Sequence, residues 1–423
     1  MLFVIKPMNI ATTDIHDAVA AKLPEARQFL ADLISTPSLS GEEQAAMEVA
    51  ADNFARVGDV ERVAMSNALK ADRDFSDPIP GIEYDGRFNL RIVRQGSGGG
   101  RRLMMNTHVD TVPPSQGQPN PYTPTVDDAG LMWGRGSCDA KGQVVTAWLT
   151  MAALKEAGAT LPGDLIAHIV VEEENGGNGT LAMVRHGEEA DGCVVLEPTE
   201  HRIITASRGA VWFRFTVKGK PGHSGAAGKT QSALLRAVRV MEIITEYHAQ
   251  LLAGSRGDPM FDKYENPMPL TFGKLHAGNW PATSPGEAVL EGLTGILPNK
   301  TAREVMAEMD GAIREQGGAD IAEHFESHYT YRHDSSVIAT DHPLVAAMRD
   351  AAGAAGLTSP IDVLTASCDA WFYNNQIDIP TLVFGGGSLS VAHSNQEVMP
   401  LDELAGAAEA LAHLSARWCS TEK

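Results

Sequence analysis

Seven acidic and imidazole side chains stand where apolar, strand-like runs give way to turns rich in glycine or proline. Such groups are costly at the end of a buried strand unless a cation or a reaction uses them. Carboxylates and imidazoles together can hold divalent metal ions and support hydrolysis by an activated water molecule. These residues are His108, Asp110, Asp139, Glu173, Glu174, Glu197 and His393.

The segment THVDTVPP places His108 and Asp110 two residues apart in an extended run. Side chains at this spacing point to the same side of a strand, so the two are expected to be neighbours. A metal-bound imidazole usually donates its other N–H to a carboxylate, which suits Asp110. Taken alone, the pair is more typical of a buried histidine bonded to an aspartate without a metal.

Asp139 lies in GRGSCDAKG, between a predicted strand and a predicted helix. A single carboxylate at such a junction can bridge two cations. The alternative is a helix N-cap, a position that aspartate also favours.

The run VVEEENGGNG has three adjacent carboxylates after a strongly apolar strand. Their mutual repulsion needs compensation, which metal charge supplies. One glutamate can then bind a metal while its neighbour takes a proton from metal-bound water. An exposed acidic turn is the alternative. Glu197 and His393 follow other strand-like runs, and a mixed set of this kind suits Zn²⁺, Co²⁺ or Mn²⁺.

Composition limits the classes of partner. The 423 residues carry a formal net charge of −20, which argues against binding to nucleic acid or to an anionic membrane. The four cysteines form no CxxC pair, and no apolar run is long enough to span a bilayer. The opening MLFVIKPMNI lacks the features of a secretion signal. We therefore expect a cytoplasmic protein.

The elements that must position these residues indicate an α/β fold. From residue 89 onwards apolar strands alternate with helices, which predicts a mostly parallel sheet with ligands at the carboxyl ends of its strands. Helices are expected within residues 14–57, with Ser40 and Glu43 as a capping box. Residues 66–87 are interpreted as a loop insertion, and GSGGG at 96–100 as a hairpin turn.

The pattern changes near residue 207. Residues 207–332 read as strand–helix–strand–strand–helix–strand, the order of a ferredoxin-like α+β domain. The earlier pattern then returns. The prediction is a catalytic, metal-binding domain formed by residues 1–206 and 333–423, with residues 207–332 inserted into it.

Taken in order, these motifs resemble one family of metallopeptidases and deacylases. It includes acetylornithine deacetylase, succinyl-diaminopimelate desuccinylase, aminoacylase-1 and carboxypeptidase G. The resemblance rests on THVDTVPP, NPYTPTVDDAGLMWGRGSCDAKG, EEENGGNG, LEPT, KGKPGHSG and AHSNQE, and it runs from about residue 25 to the C-terminus.

The resemblance implies roles for the candidate residues. His108, Asp139 and Glu197 would hold one metal, and Asp139, Glu174 and His393 the other. Glu173 would be the general base and Asp110 the orienting acid. A cis peptide bond is expected at Asp139–Ala140, with two divalent ions bound, Zn²⁺ first and Co²⁺ or Mn²⁺ as alternatives.

In the family the inserted domain forms a lid and a homodimer face. By resemblance His223 would stabilise the oxyanion, from the partner subunit, and Asn279 would contact substrate. An ordinary surface histidine is the alternative for His223. The family's lid arginine is replaced by Gly295, and Arg332 is a candidate carboxylate clamp by position, with a surface arginine as the alternative.

Other departures lie in the turn ASCDA and in the residues just after it. Cys368 replaces the usual threonine, and the aromatic run 371–373 stands where relatives often have smaller residues. The function expected is hydrolysis of the amide bond of a small N-acyl amino acid. The alternatives are a carboxypeptidase or dipeptidase, a hydrolase of another C–N bond such as that of an aryl amine, and a silent binding protein.

Overall fold

The structure, a computed structural model, describes residues 12–226 and 228–422. The helices are α1 (Thr12–Ile34), α2 (Gln44–Phe54), α3 (Lys141–Glu156), α4 (Asn178–His186), α5 (Ala233–Gly254), α6 (Pro259–Asp262), α7 (Ala302–Ala322), α8 (Pro343–Ala354) and α9 (Leu401–Trp418). The strands are β1 (Asp59–Ala64), β2 (Phe88–Arg94), β3 (Leu103–His108), β4 (Thr125–Val126), β5 (Leu131–Trp133), β6 (Leu165–Val170), β7 (Gly192–Val195), β8 (Ile203–Ser207), β9 (Gly209–Lys218), β10 (Gly222–His223), β11 (Leu270–Ala277), β12 (Thr283–Ser284), β13 (Glu287–Ile296), β14 (Phe325–His333), β15 (Ser336–Val337), β16 (Ile361–Leu364), β17 (Thr381–Val383) and β18 (Val398–Pro400).

The main sheet has the strand order β1-β2-β6-β3-β7-β17-β8-β15, with β16 paired to β8. Its centre is parallel, because β3 pairs in parallel with β6 and β7, and β17 pairs in parallel with β7. Both edges are antiparallel. The central strands β3, β6 and β7 are buried throughout, as expected for a sheet covered on both faces. The predicted α/β fold with a mostly parallel sheet is confirmed.

Helix α3 is buried along nearly its whole length, from Lys141 to Leu154. It packs against α1, α9 and β3. The rings of Phe29 in α1 and Trp148 in α3 meet edge to face, with their centroids 5.9 Å apart. This packing fixes the start of α3, where Asp139 lies two residues before Lys141.

A second sheet has the order β11-β13-β9-β14, and all of its pairs are antiparallel. With α5 and α7 it follows the ferredoxin-like order that the sequence predicts. Along β9 buried and partly exposed residues alternate, since one face of the sheet packs on the helices. Its core is separate from the main one and includes Phe213, Phe215, Val240 and Val305. The domain limits at residues 207 and 332 stay a prediction.

Two local predictions are wrong. Ser40 does not cap α2, because its hydroxyl donates to Oδ2 of Asp110 at 3.0 Å, and Glu43, the residue before the helix, makes no side-chain capping bond. The GSGGG run at 96–100 does not turn a hairpin, because β6 lies between β2 and β3 in the sheet. In each case the actual partner, Asp110 for Ser40 and β6 for β2 and β3, lies far away in the sequence, so the local residues do not indicate it.

Residues 66–87 form no β-strand, as predicted, yet they are packed into the fold. A short 3₁₀ turn spans Asn67–Ala71, and the rings of Phe75 and Tyr84 are buried edge to face with centroids 5.9 Å apart. The backbone N–H of Asp77 donates to the carbonyl of Thr330 in β14 at 2.8 Å. The segment thus joins the second sheet to the catalytic core.

Within the described ranges, no helix combines the length and apolarity needed to cross a membrane. The N-terminal run MLFVIKPMNI, which we interpreted as lacking a secretion signal, lies outside the described residues.

Candidate metal centre

Neighbouring strands deliver their carboxyl ends to one edge of the main sheet. His108 is the last residue of β3, Glu173 and Glu174 lie in a short 3₁₀ turn just after β6, and Glu197 follows β7. Because β3, β6 and β7 run parallel, these side chains are brought together as predicted.

The first candidate group consists of His108, Asp139 and Glu197. Nε2 of His108 lies 3.2 Å from Oδ1 of Asp139 and 3.9 Å from Oε1 of Glu197. All three residues are buried. Glu173 approaches the same imidazole, with Oε2 at 3.9 Å from Nε2.

The second candidate group consists of Asp139, Glu174 and His393. Nε2 of His393 lies 3.3 Å from Oδ2 of Asp139 and 3.0 Å from Oε1 of Glu174. Asp139 therefore uses one oxygen toward each histidine and is shared by both groups. The peptide bond Asp139–Ala140 is cis, as the resemblance implies.

The chemistry of His108 fits a metal ion. Its Nδ1 lies 3.0 Å from the carbonyl oxygen of Asp110, which assigns the ring proton to Nδ1. Nε2 is buried and has no hydrogen-bond partner among the described residues. Its lone pair then faces the carboxylates of Asp139 and Glu197. The carboxylates favour a positive charge at Nε2, which a proton or a metal ion can supply, so these residues fit divalent metal ions.

Asp110 links His108 to the turn that carries the two glutamates. Its Oδ1 accepts the backbone N–H of Glu173 at 3.1 Å, and its Oδ2 accepts that of Glu174 at 3.2 Å. Oδ1 also lies 3.3 Å from Nδ1 of His108. One buried carboxylate thus fixes a candidate ligand and the candidate base relative to each other.

Burial and mutual repulsion shift the ionisation of the cluster. Burial raises the pKa of Glu173 and of Glu197 well above the usual range, and it raises the pKa of Glu174 to about 7. Hydrogen bonds to Asp139 and Glu174 raise the pKa of His393 to about 10. Burial alone would raise the pKa of Asp139, but the two histidines hold it below its usual range. Acids perturbed in this way are typical of functional sites.

Comparison with known protein families shows to which family of enzymes the chain belongs. The model of Peptidase family M20/M25/M40 matches residues 104–417, which contain every residue of both groups. The chain belongs to this family. It is a metallohydrolase that acts on the C–N bond of amides.

Two curated relatives indicate the range of chemistry in this family. The chain is 26% identical over 350 residues to N-formyl-4-amino-5-aminomethyl-2-methylpyrimidine deformylase of Bacillus subtilis, covering 76% of this chain and 80% of the relative. It is 30% identical over 276 residues to succinyl-diaminopimelate desuccinylase of Methylobacterium radiotolerans, covering 62% of this chain and 64% of the relative.

A solved structure supports the fold. The M20 family metallo-carboxypeptidase Sso-CP2 of Sulfolobus solfataricus superposes with a TM-score of 0.75 at 13% identity, covering 94% of this chain and all of that one. At this identity the likeness concerns the fold alone.

Three other residues that the sequence predicts to act in the site, His223, Asn279 and Arg332, belong to neither ligand group. His223 is exposed on β10, where Nδ1 accepts the backbone N–H of Gly225 at 3.0 Å. Asn279 is exposed and lines a surface cleft beside β12. The Arg332 guanidinium donates to the carbonyls of Tyr329, Arg73 and Phe75 at 2.7–3.2 Å. The roles assigned to these three side chains stay predictions.

Sequence reasoning missed the residues that support the centre. Oε1 of Glu397 accepts the backbone N–H of Asp139 at 3.2 Å, and its other oxygen pairs with buried Arg135. Glu397 closes the motif AHSNQE, so its place in that motif was the available signal. Arg87 pairs with buried Glu43 and Glu172, two residues that no local pattern connects.

Proposed function

We propose that the protein hydrolyses the amide bond of a small N-acyl amino acid with two divalent metal ions, Zn²⁺ as first choice and Co²⁺ or Mn²⁺ as alternatives. The observation that carries the proposal is the pair of ligand groups sharing Asp139, with Glu173 beside them. His108, Asp139 and Glu197 would hold one ion; Asp139, Glu174 and His393 would hold the other.

When bound, the metal ions would polarise the scissile carbonyl and acidify the attacking water. In this scheme Glu173 takes the proton of that water and returns it to the leaving amine. Burial raises the pKa of Glu173, so its carboxylate binds a proton more strongly than that of an ordinary glutamate, as a general base requires. Asp110 holds the backbone of Glu173, so the carboxylate is positioned before substrate binds.

The choice of an N-acyl amino acid rests on the motif resemblance and on the relative that is named a desuccinylase. The deformylase relative favours a second candidate, a formamide or amide carried by an aromatic amine. Three aromatic rings that pack in a row support this candidate. The ring centroids of Tyr331 and His333 are 4.1 Å apart, and those of His333 and Trp371 are 4.3 Å apart. Peptidase activity is the third candidate.

We also propose a homodimer formed through the second sheet and its helices. Helix α5 exposes Leu235 at 70% and also Val238, and Trp280 is 67% exposed on the loop that precedes β12. Leu235 and Val238 are three residues apart on one helix and so share a face, and a contiguous apolar patch of this kind is a candidate contact surface. A second copy would cover them and could bring His223 to the partner's metal centre.

The test is a set of initial rates with enzyme stripped of metal and reloaded with Zn²⁺, Co²⁺ or Mn²⁺. Substrates would be N-acetyl, N-succinyl and N-formyl amino acids, dipeptides and an N-formyl aryl amine. Metal-dependent preference for one N-acyl amino acid supports the proposal. Turnover confined to dipeptides or to the aryl amine would replace the substrate class, and the absence of metal-dependent turnover would overturn the function.

A further inference from the structure

The glycine at position 295 leaves a space that another side chain fills. Gly295 lies on β13 opposite Ala210 of β9. A Cβ atom built on Gly295 would lie 3.1 Å from Cδ of Arg208 and 3.0 Å from the Cα of Met268. The stem of Arg208 thus occupies the place into which a side chain at position 295 would extend.

Arg208 is buried without an acidic partner. Three arginines are buried among the described residues, and two of them pair with carboxylates, Arg135 with Glu397 and Arg236 with Asp320. Arg208, only 9% exposed, has no carboxylate within 4.0 Å in the part of the chain that the structure describes. Burial lowers the pKa of Arg208 to about 10. A buried cation without an anion is unfavourable, so the site lacks one component.

The donors of Arg208 are only partly used. Nε donates to the carbonyl of Thr365 at 2.6 Å, and Nη1 donates to the carbonyl of Gly209 at 3.1 Å. Nη2 donates no hydrogen bond to any described residue. These two backbone bonds fix the plane of the guanidinium and leave the N–H groups of Nη2 and one N–H of Nη1 for another acceptor.

Arg208 is connected to the catalytic turn through Tyr331. Nε of Arg208 donates to the carbonyl of Thr365, two residues before Ser367. The hydroxyl of Tyr331 lies 2.7 Å from Oγ of Ser367, in the turn ASCDA. A Cβ built on Gly176, three residues after Glu173, would lie 2.8 Å from the Tyr331 ring. Tyr331 therefore contacts the turn ASCDA, which follows the Arg208 partner Thr365, and also lies beside the turn that carries the base.

We infer that Arg208 binds a carboxylate of the substrate and so replaces the arginine that position 295 lacks. This inference rests on the proposed amide hydrolysis and names its substrate class: an amide that carries a carboxylate near the scissile bond. A guanidinium whose plane is fixed can present its remaining donors to a carboxylate, a strong and directional contact. The carboxylate could belong to the amino acid or to the acyl group.

The test compares substrates that differ only in this charge. The substrates are an N-acetyl amino acid, its carboxamide, and the N-succinyl derivative of that carboxamide, with wild type and Arg208→Met. We expect kcat/KM for the substrates that need Arg208 to fall about 10–100-fold, mainly through KM, while the N-acetyl carboxamide changes little. A fall in kcat/KM for the N-acetyl acid would show that Arg208 binds the carboxylate of the amino acid. A fall for the succinyl compound would show that it binds the carboxylate of the acyl group.

Two further variants separate recognition from damage. Arg208→Lys keeps the charge without the paired donors, so the ratio of acid to carboxamide should fall less than in Arg208→Met. Arg94 in β2 is another arginine whose hydrogen bonds go only to backbone carbonyls, including two near the end of α3. Arg94→Met should leave the ratio of acid to carboxamide turnover unchanged. Equal losses on all substrates in Arg208→Met and Arg208→Lys, or no loss in either, would overturn the inference.

Binding measured without turnover separates this inference from the proposed function. In a Glu173→Gln background, calorimetry gives Kd for the N-acetyl acid, the succinyl compound and the N-acetyl carboxamide. A rise in Kd of about 10–100-fold on adding Arg208→Met, confined to a carboxylate-bearing compound, supports Arg208 as the clamp. Equal Kd values with and without Arg208 overturn it. Failure of the proposed function would instead appear as wild-type enzyme that binds these compounds and hydrolyses none of them.

Discussion

At the scale of single residues, Asp110 is the group on which the geometry of the centre depends. It contacts His108 through Nδ1 and accepts the backbone N–H groups of Glu173 and Glu174, and it also receives the hydroxyl of Ser40. The spacing in HVD predicted the first of these contacts. The others join segments far apart in the chain, so no periodicity in the sequence could have shown them.

Asp110→Asn tests this coupling. The amide keeps the shape but can accept at only one of its two positions, so one backbone N–H loses its acceptor and the orientation of His108 is weakened. We expect metal affinity to fall about 10–100-fold, together with kcat. Metal titration of the stripped variant measures this. Ser40→Ala, which removes only the hydroxyl contact, serves as control and should lose much less; equal affinities in wild type and Asp110→Asn would contradict the role.

Glu173→Gln tests the base. Glutamine cannot accept the proton of the attacking water, so kcat should fall about 10²–10⁴-fold. Metal content should be unchanged, because Glu173 belongs to neither ligand group. Rates and metal stoichiometry are measured on the same sample, with exposed Glu323→Gln as the control. Near-normal turnover in Glu173→Gln would remove Glu173 as the base.

At the scale of elements, residues 66–87 and the residues in contact with them hold in place the turn Glu173–Asn175, which carries the candidate base. The hydroxyl of Tyr84 donates to Glu172 at 2.6 Å, and Asn178 at the start of α4 donates to the same hydroxyl at 2.9 Å. Arg87 joins Glu172 to Glu43, whose pKa burial raises to about 8. Glu172 immediately precedes Glu173, so this buried network fixes the entry to the turn.

Arg87→Met tests the network. It leaves the buried carboxylates of Glu43 and Glu172 without their cation, which costs about 3–5 kcal/mol in free energy of unfolding. Urea denaturation measures the change. Arg417→Met, at an exposed pair with Asp350, is the control and should cost under about 1 kcal/mol. A loss for Arg87→Met no larger than that of the control would show that the network contributes little to stability.

The elements also show what sequence patterns can and cannot predict. The ferredoxin-like order of the second sheet was predictable, because each strand and helix has its own periodicity and the connections are short. The hairpin expected at GSGGG was wrong, because β6, more than 60 residues later, takes the place beside β2 and β3. Strand neighbours of this kind depend on the whole chain.

At the scale of the whole molecule, the centre gathers acids in a chain whose net charge is already −20. Its ligands come from segments between residues 108 and 393, attached to β3, α3, β6, β7 and β17. Sequence could predict this convergence, because parallel strands place their carboxyl ends at one edge. It could not predict the position of Arg208, since the space left by Gly295 exists only once β9 and β13 pair.

Removal of the metals should therefore destabilise the whole protein. Without cations the carboxylates of Asp139, Glu174 and Glu197 repel one another, and the segments that carry them lose their common partner. By linkage, free metal 100-fold above Kd should add about 2.7 kcal/mol per independent site to the free energy of unfolding. Thermal unfolding of stripped enzyme during titration with Zn²⁺ measures this gain.

Glu173→Gln should show the full gain, because Glu173 lies outside both ligand groups, whereas His393→Ala should lose part of it together with one metal per chain. A melting temperature that does not respond to metal, or unchanged stoichiometry in His393→Ala, would contradict a structural link between the two ions and the fold.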